Sequence, residues 1–333
     1  MNEFDLIRQY FQQTDTERAD VALGIGDDCA LLQPLAHHHL AVTTDTMVDG
    51  VHFDERLTPA DLAYKLVAVN LSDLAAMGAV PCWVSLALTL PSSDQTWLSE
   101  FGQALAHQLR HYQVALVGGD TTRGPLTLSL TAQGQVPAGQ GLTRSGAAVG
   151  DVILVSGHLG DAALALNQHK LTPLTASQCA RVEARLFRPT PRVELGLTLR
   201  QLASACIDIS DGLSADLNHI LERSSKALGG ANASMSTVSL GACIDADKLP
   251  VSAEAVSVLG EQGAAANALN GGDDYELCFT VPATRLNEVI AAGKKANTPV
   301  TVIGEIVADG GLQTYYLGQA VDWQAQGYLH FSD

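Results

Sequence analysis

Four apolar segments of this 333-residue chain end in small residues followed by an aspartate: Leu23–Asp28 (LGIGDD), Ala41–Asp45 (AVTTD), Ala115–Asp120 (ALVGGD) and Cys206–Gly212 (CIDISDG). A single Asp after a strand is ordinarily a turn or a helix cap. Four repeats of the arrangement place carboxylates at the edge of a sheet, where side chains and backbone can meet a ligand. Carboxylates gathered in a cleft repel one another and lose solvation unless cations neutralise them. Hard oxygen donors with no accompanying His or Cys cluster suit Mg²⁺ or a similar ion rather than zinc. Beside these acids, Gly24, Gly26, Gly118 and Gly119 admit unusual backbone angles and let main-chain N–H groups approach a phosphate. Metal carboxylates next to such loops imply a nucleotide or phosphoryl substrate.

The common phosphate signatures are missing. There is no G-x-x-x-x-G-K-[ST] run, and GIGDDC matches only the first two glycines of G-x-G-x-x-G before two acids intervene. The H-R-D and D-F-G motifs of protein kinases are absent as well. A nucleotide-binding enzyme of another architecture is the consequence. The run His37–His39 falls in a loop between strand signals without a supporting Cys or Glu pattern, and is read as a solvated turn.

Composition narrows the partners. The 19 Lys and Arg against 36 Asp and Glu give a formal charge of −17, which repels nucleic acid and anionic membrane surfaces. No stretch of eighteen apolar residues appears, and the first twenty residues are amphipathic and mixed in charge. A soluble, cytoplasmic protein is expected. The six cysteines are irregularly spaced with no C-x-x-C pair, and are read as small buried hydrophobes in a reducing compartment.

The elements that must carry these acids are mixed α+β. Strands are predicted at 39–44 and 82–90 from their β-branched and apolar residues. Between them Thr58-Pro59 opens a helix, Leu62, Leu66 and Val69 recur at helical spacing, and Gly78 with Pro81 ends it. A helix at 95–111 and strands at 114–119 and 126–136 follow. The polar, glycine-containing run Gly141–Asp151 reads as an interdomain crossing. Beyond it the pattern predicts a strand VILVS, helices at 160–168, 176–186 and 191–204, a strand at 206–210 and a helix at 213–228. No element is assigned across most of 229–268. Strands resume at 275–281 and 298–307 with a helix between them.

Seven runs then carry a resemblance. GIGDDCALL (Gly24–Leu32), TTDTMVDGVHF (Thr43–Phe53), DLAYKLVAVNLSDLAAMGAVP (Asp61–Pro81), GGDTTRGPL (Gly118–Leu126), LTRSGA (Leu142–Ala147), IDISDGLSADL (Ile207–Leu217) and GGDDYELCF (Gly271–Phe279) jointly resemble the thiamine-monophosphate kinase family. They stand in the family's order and reach across most of the chain. The resemblance implies the two-domain, PurM-like α+β fold shared with aminoimidazole ribonucleotide synthetase. Residues 1–148 would form an ATP- and Mg-binding domain that dimerises through its sheet, and residues 149–333 a C-terminal α/β domain. The implied reaction passes the γ-phosphoryl group of ATP to thiamine monophosphate, yielding thiamine diphosphate and ADP.

Position by position, the resemblance puts Asp28, Thr43, Thr44, Asp45, Asp73, Asp120, Asp208 and Asp211 at magnesium-binding positions. Of these, Asp45, Asp120 and Asp211 are taken as the catalytic set. Gly119, Asp120, Arg144 and Ser210 match nucleotide contacts, and His52, Asp273 and Tyr328 match thiamine phosphate contacts. Because the metal aspartates come from both halves of the chain, the site is expected where the domains meet. The chain departs from the family at Asp273, where Glu is usual, so the carboxylate sits on a shorter arm. A phosphate monoester acceptor is already ionised near neutral pH and needs no strong base. The expected mechanism is therefore direct in-line transfer between anions screened by several Mg²⁺ ions, without a phospho-enzyme. Another ATP-using enzyme of the same superfamily and a non-catalytic Mg-nucleotide module are the alternatives at this level.

Overall fold

The computed structural model describes residues 6–11, 18–167, 173–229, 239–308 and 310–323. The chain divides into two compact units, residues 1–74 with 79–139 and residues 75–78 with 140–333.

In the first unit a small antiparallel pair, β1 (Val21–Leu23) and β2 (Leu31–Leu32), precedes a four-stranded sheet. That sheet is built from β3 (His38–Val48), β4 (Val80–Leu90), β5 (Ala115–Arg123) and β6 (Thr127–Pro137) in the order β3-β6-β4-β5. Strands β4 and β5 are parallel, so the chain must cross over between them, and helix α2 (Gln95–His111) makes the crossover. Residues alternate along the strands as the pleat requires. Leu86, Leu88, Leu128, Leu130 and Ala132 are buried on one face, whereas Leu40, Val42, Thr44 and Thr46 of β3 are exposed on the other.

Helix α1 (Pro59–Ala76) starts where the sequence predicts, through a reciprocal capping box. The Asp61 amide donates to Thr58 Oγ1 at 3.2 Å, and the Thr58 amide donates to Asp61 Oδ2 at 3.1 Å. It ends at Gly78, whose φ of 61° only glycine adopts cheaply. The histidine run is displaced from its predicted place: His37 occupies the turn at φ 59°, but His38 and His39 already belong to β3. Their pairing with Pro137 and Val136 extends the ladder past the apolar run on which the prediction rested.

The second unit carries β7 (Asp151–Ser156), β8 (Ala205–Asp208), β9 (Gly241–Asp245), β10 (Leu277–Pro282), β11 (Val300–Val307), β12 (Gly311–Tyr316) and β13 (Gln319–Val321). They form one sheet in the order β13-β12-β9-β11-β7-β10-β8. Its helices are α3 (Asp161–Leu166), α4 (Ala176–Phe187), α5 (Val193–Leu199), α6 (Leu213–Leu228), α7 (Ala253–Asn270) and α8 (Leu286–Lys295). Ile153, Val155, Ile207, Leu217, Ile220, Ala242, Ile244 and Ile303 are among the buried residues of its main core.

Two differences from the sequence reading have clear causes. The helix predicted at 191–204 stops at Leu199, because Arg200 is extended and Gln201 turns left-handed at φ 64°. The unassigned stretch holds β9 and α7. Helix α7 is alanine-rich, with Glu254, Glu261, Gln262 and Asn267 among its small residues, and the kink at Gly260 (φ 72°) interrupts its period, so no single stripe marks it. Of the cysteines, Cys82, Cys206 and Cys278 are buried as expected, but Cys29 is exposed in the loop after Asp28. No helix among the described residues is long and apolar enough to cross a membrane.

Candidate active site

In the first unit, strand β3 and helix α1 bring three of the predicted residues together. Thr43 and Asp45, two apart on β3, share a face, and α1 lays Asp73 against it: Thr43 Oγ1 donates to Asp73 Oδ2. The Asp45 amide donates to Asn70 Oδ1 at 3.2 Å, so the turn carrying Asp73 is also pinned to the strand. Burial, and then repulsion from Asp73, push the Asp45 carboxyl up to about 6. Thr44 points away from this group, and its hydroxyl lies 2.8 Å from Thr131 Oγ1 on the exposed face.

Asp28, Gly119 and Asp120 meet elsewhere, lining a cavity of about 480 Å³ with Asp27 and Cys29. Its apolar wall includes Ile7, Phe11, Leu86, Leu88 and Leu116. Gly119 is dictated by close approach, since a Cβ there would stand 1.9 Å from the Leu86 carbonyl oxygen. In the sheet register Asp45 shares a row with Leu130, Leu86 and Gly119, whereas Asp120 belongs to the next row with Ala87. Two strands lie between β3 and β5, which sets Asp45 and Asp120 about 14 Å apart along the sheet, at roughly 4.8 Å per spacing. His52, in the turn after β3, accepts the Val48 amide at Nδ1 (3.1 Å), so in the neutral ring the proton sits on Nε2.

In the second unit β8 ends on Asp208, the loop after it carries Ser210 and Asp211, and the loop before β10 carries Asp273. The two loops interlock through their backbones. The Asp273 amide donates to Ser210 O, and the Tyr275 amide to Ile209 O, each at 2.8 Å. A Cβ at Gly272 would lie 2.4 Å from Ser210 O, so this contact needs glycine. Asp273 and Tyr275 both hold positive φ, 66° and 51°, and Tyr275 Oη donates to Asp273 Oδ1 at 3.0 Å. Non-glycine residues at such angles cost energy and collect at ligand sites. Arg144 is exposed, and its main-chain oxygen accepts the Ser224 hydroxyl at 3.3 Å. Tyr328 lies outside the described residues.

Structure adds residues that sequence reading passed over. Asp27 lines the cavity beside Asp28. Asp216, 3% exposed, accepts the amides of both Ser210 and Asp211 at 3.1 Å, and burial followed by the Asp211 charge pushes its carboxyl up to about 7. Asp274, 1% exposed, accepts the Gly160 amide on both oxygens, and burial raises its carboxyl well above the ordinary range. Glu276 is fully buried between Arg185 and Arg192 and accepts the Ser156 hydroxyl at 2.6 Å. The signal for Asp216 was present in its motif, four residues beyond Gly212, but it was indistinguishable from an ordinary acid in the first turn of a helix.

The donor set suits a hard cation. Among the described residues no three His, Cys, Asp or Glu side chains converge as a metal cluster. Magnesium is commonly held by one or two carboxylates together with substrate phosphates and water, and the Asp45–Asp73 pair has that form. An acid raised to about 6 by burial and by its neighbour gains from a nearby cation.

The two units correspond to a known class. Residues 26–136 match the family model of AIR synthase related protein, N-terminal domain, and residues 148–316 that of the C-terminal domain. Fold and site thus define an AIR synthase related protein. A thiamine-monophosphate kinase from Haemophilus influenzae is 48% identical over 92% of the chain and 89% of its own length. The crystal structure of thiamine-monophosphate kinase from Stenotrophomonas maltophilia, 45% identical, covers 96% of this chain and 98% of its own with a TM-score of 0.84. AaThiL complexed with AMPPCP and TMP is 29% identical, with a TM-score of 0.74 over 99% of this chain and 97% of its own. The chain belongs to the thiamine-monophosphate kinase family, and it is a kinase.

Proposed function

We propose that the protein transfers the γ-phosphoryl group of ATP directly to the phosphate of thiamine monophosphate, with Mg²⁺, to make thiamine diphosphate in the cytoplasm. The observation that carries this reading is the Thr43–Asp45–Asp73 group: two carboxyls held together, one raised to about 6, in an arrangement that a cation relieves. The relative that binds both an ATP analogue and TMP supports the choice of substrates.

Bound Mg²⁺ would screen the charge of both phosphates and of the transition state. Asp45 and Asp73, with Thr43 and Thr44, would hold it, as would Asp28 and Asp120, which line the cavity. With about 14 Å of sheet between the backbones of Asp45 and Asp120, more than one ion would be needed to serve both. In the second unit, Asp208 and Asp211 are carboxylates of the same kind that would bind Mg²⁺. Gly119, Asp120, Arg144 and Ser210 orient the nucleotide, and the apolar wall of the cavity suits its base. His52 offers Nε2–H to the acceptor, and Asp273 is assigned to the thiamine phosphate. No side chain is required as a strong base, because the acceptor oxygen is already ionised.

A homodimer is proposed through the four-stranded sheet. Its edge strand β3 exposes Leu40 at 48% and Val42 at 61% on the face away from α1.

Incubation with Mg-ATP and thiamine monophosphate, with free thiamine as control, tests the reading. ADP and thiamine diphosphate are expected, from the monophosphate only. Release of inorganic phosphate regardless of acceptor would make the protein a phosphohydrolase, and binding without turnover would make it a nucleotide sensor. Asp120→Asn is expected to abolish transfer while leaving the fold intact.

A further inference from the structure

We infer that Asp216 is a positioning residue of the phosphoryl-transfer site, setting the backbone that carries Ser210 and Asp211 and, through it, the loop that carries Asp273. The inference rests on the function proposed above. A single oxygen, Asp216 Oδ2, accepts two successive amides, Ser210 N and Asp211 N, at 3.1 Å each. Neither donor belongs to α6, the helix that carries Asp216, because both precede its N-cap, Gly212. The carboxylate therefore does not cap its own helix; it shapes the loop before it.

The Ser210 residue is gripped from both sides. Its amide is held by Asp216, and its carbonyl accepts the Asp273 amide at 2.8 Å. Ile209 is held likewise, donating to Glu276 O and accepting from Tyr275 N, both at 2.8 Å. Gly212 completes the lock: at φ 113° it passes so close to Asn270 that a Cβ would stand 2.7 Å from the Asn270 carbonyl oxygen. The Arg144 guanidinium is near enough for its charge to favour ionised Asp216. Two nucleotide positions, a metal position and a substrate position thus all connect to one buried side chain. A displacement of about 1 Å at reacting groups can cost on the order of 10²-fold in rate, so such a tether has leverage on catalysis.

Two substitutions separate shape from charge. Asp216→Asn keeps an oxygen where both amides need it but removes the charge; Asp216→Glu keeps the charge and moves the oxygen by about one methylene. With positioning as the role, Asp216→Asn retains kcat/KM within about threefold, while Asp216→Glu loses roughly tenfold or more. Amide hydrogen exchange gives the second readout: the peptide spanning residues 207–213 should stay protected in Asp216→Asn and exchange faster in Asp216→Glu, in the free enzyme and with Mg-ATP bound. The inference is overturned if Asp216→Asn is the inactive variant, which would mean that the charge itself acts. It is equally overturned if both variants match the wild type in rate and exchange. Failure of the proposed function would look different: the wild type would release no ADP with thiamine monophosphate, while the exchange comparison would still report on the tether.

Discussion

Replacing Asp45 by Asn should make the metal-free protein more stable while removing its activity. The Asp45 carboxyl is raised from an ordinary 3.8 to about 6, first by burial and then by Asp73. Its folded-state value lies above the unfolded one, so the native state holds the proton more tightly. Ionisation of this group therefore lowers stability as pH rises from about 4 to about 6, and the loss is constant above that. Two units correspond to about 3 kcal/mol at 1.36 kcal/mol per unit, and local relaxation and entering water reduce this to about 1–3 kcal/mol. The Asn side chain is close in shape, carries no charge towards Asp73 and leaves the amide of residue 45 free to keep its bond to Asn70 Oδ1. Thermal unfolding in a chelating buffer at pH 7.5 should then show Asp45→Asn melting roughly 2–6 °C above the wild type. The advantage should shrink through pH 6 and vanish near pH 4. Adding Mg²⁺ with nucleotide should raise the wild type more than the variant, because a ligand that binds only the native state stabilises it by mass action. A variant that melts at or below the wild type at pH 7.5, or whose advantage does not depend on pH, would refute the view of Asp45 and Asp73 as a strained acidic pair.

Two further outcomes follow from packing. At Gly119 a methyl group would sit 1.9 Å from Leu86 O, so Gly119→Ala must part β4 and β5 by more than 1 Å. A loss of about 1–3 kcal/mol in denaturant unfolding and, through the displaced Asp120, a fall in kcat/KM on the order of 10²-fold are expected, and wild-type kinetics would refute the close-approach reading. Glu276 is fully buried with Arg185 and Arg192 each 2.6 Å away, so Glu276→Gln removes the buried charge that both guanidinium groups share. A loss of about 3–5 kcal/mol is expected, and a change under 1 kcal/mol by the same unfolding measurement would show that solvent compensates the arginines.

The sequence by itself determined the elements whose signals are local. The start of α1 at Thr58-Pro59 and its end at Gly78 were legible because capping and left-handed turns depend on adjacent residues. The apolar runs ahead of the aspartates were legible for the same reason, and with them the family, although β3 and β5 continue past Asp45 and Asp120 instead of ending at them. Helix α7 was not, because the break at Gly260 interrupts the period of an alanine-rich run, and the early stop of α5 was not, because it follows from backbone angles that no residue type there demands. Tertiary structure alone decided which acids meet. Asp45 joins Asp73 because α1 packs on β3, whereas Asp120 stands three strands away on the far edge of the same sheet. It alone gave Asp216 a role, since an oxygen that serves the loop before its own helix looks, in sequence, like any acid in a first turn. Residue types and spacing reveal which groups can do chemistry; sheet order and helix packing decide which of them stand close enough to do it together.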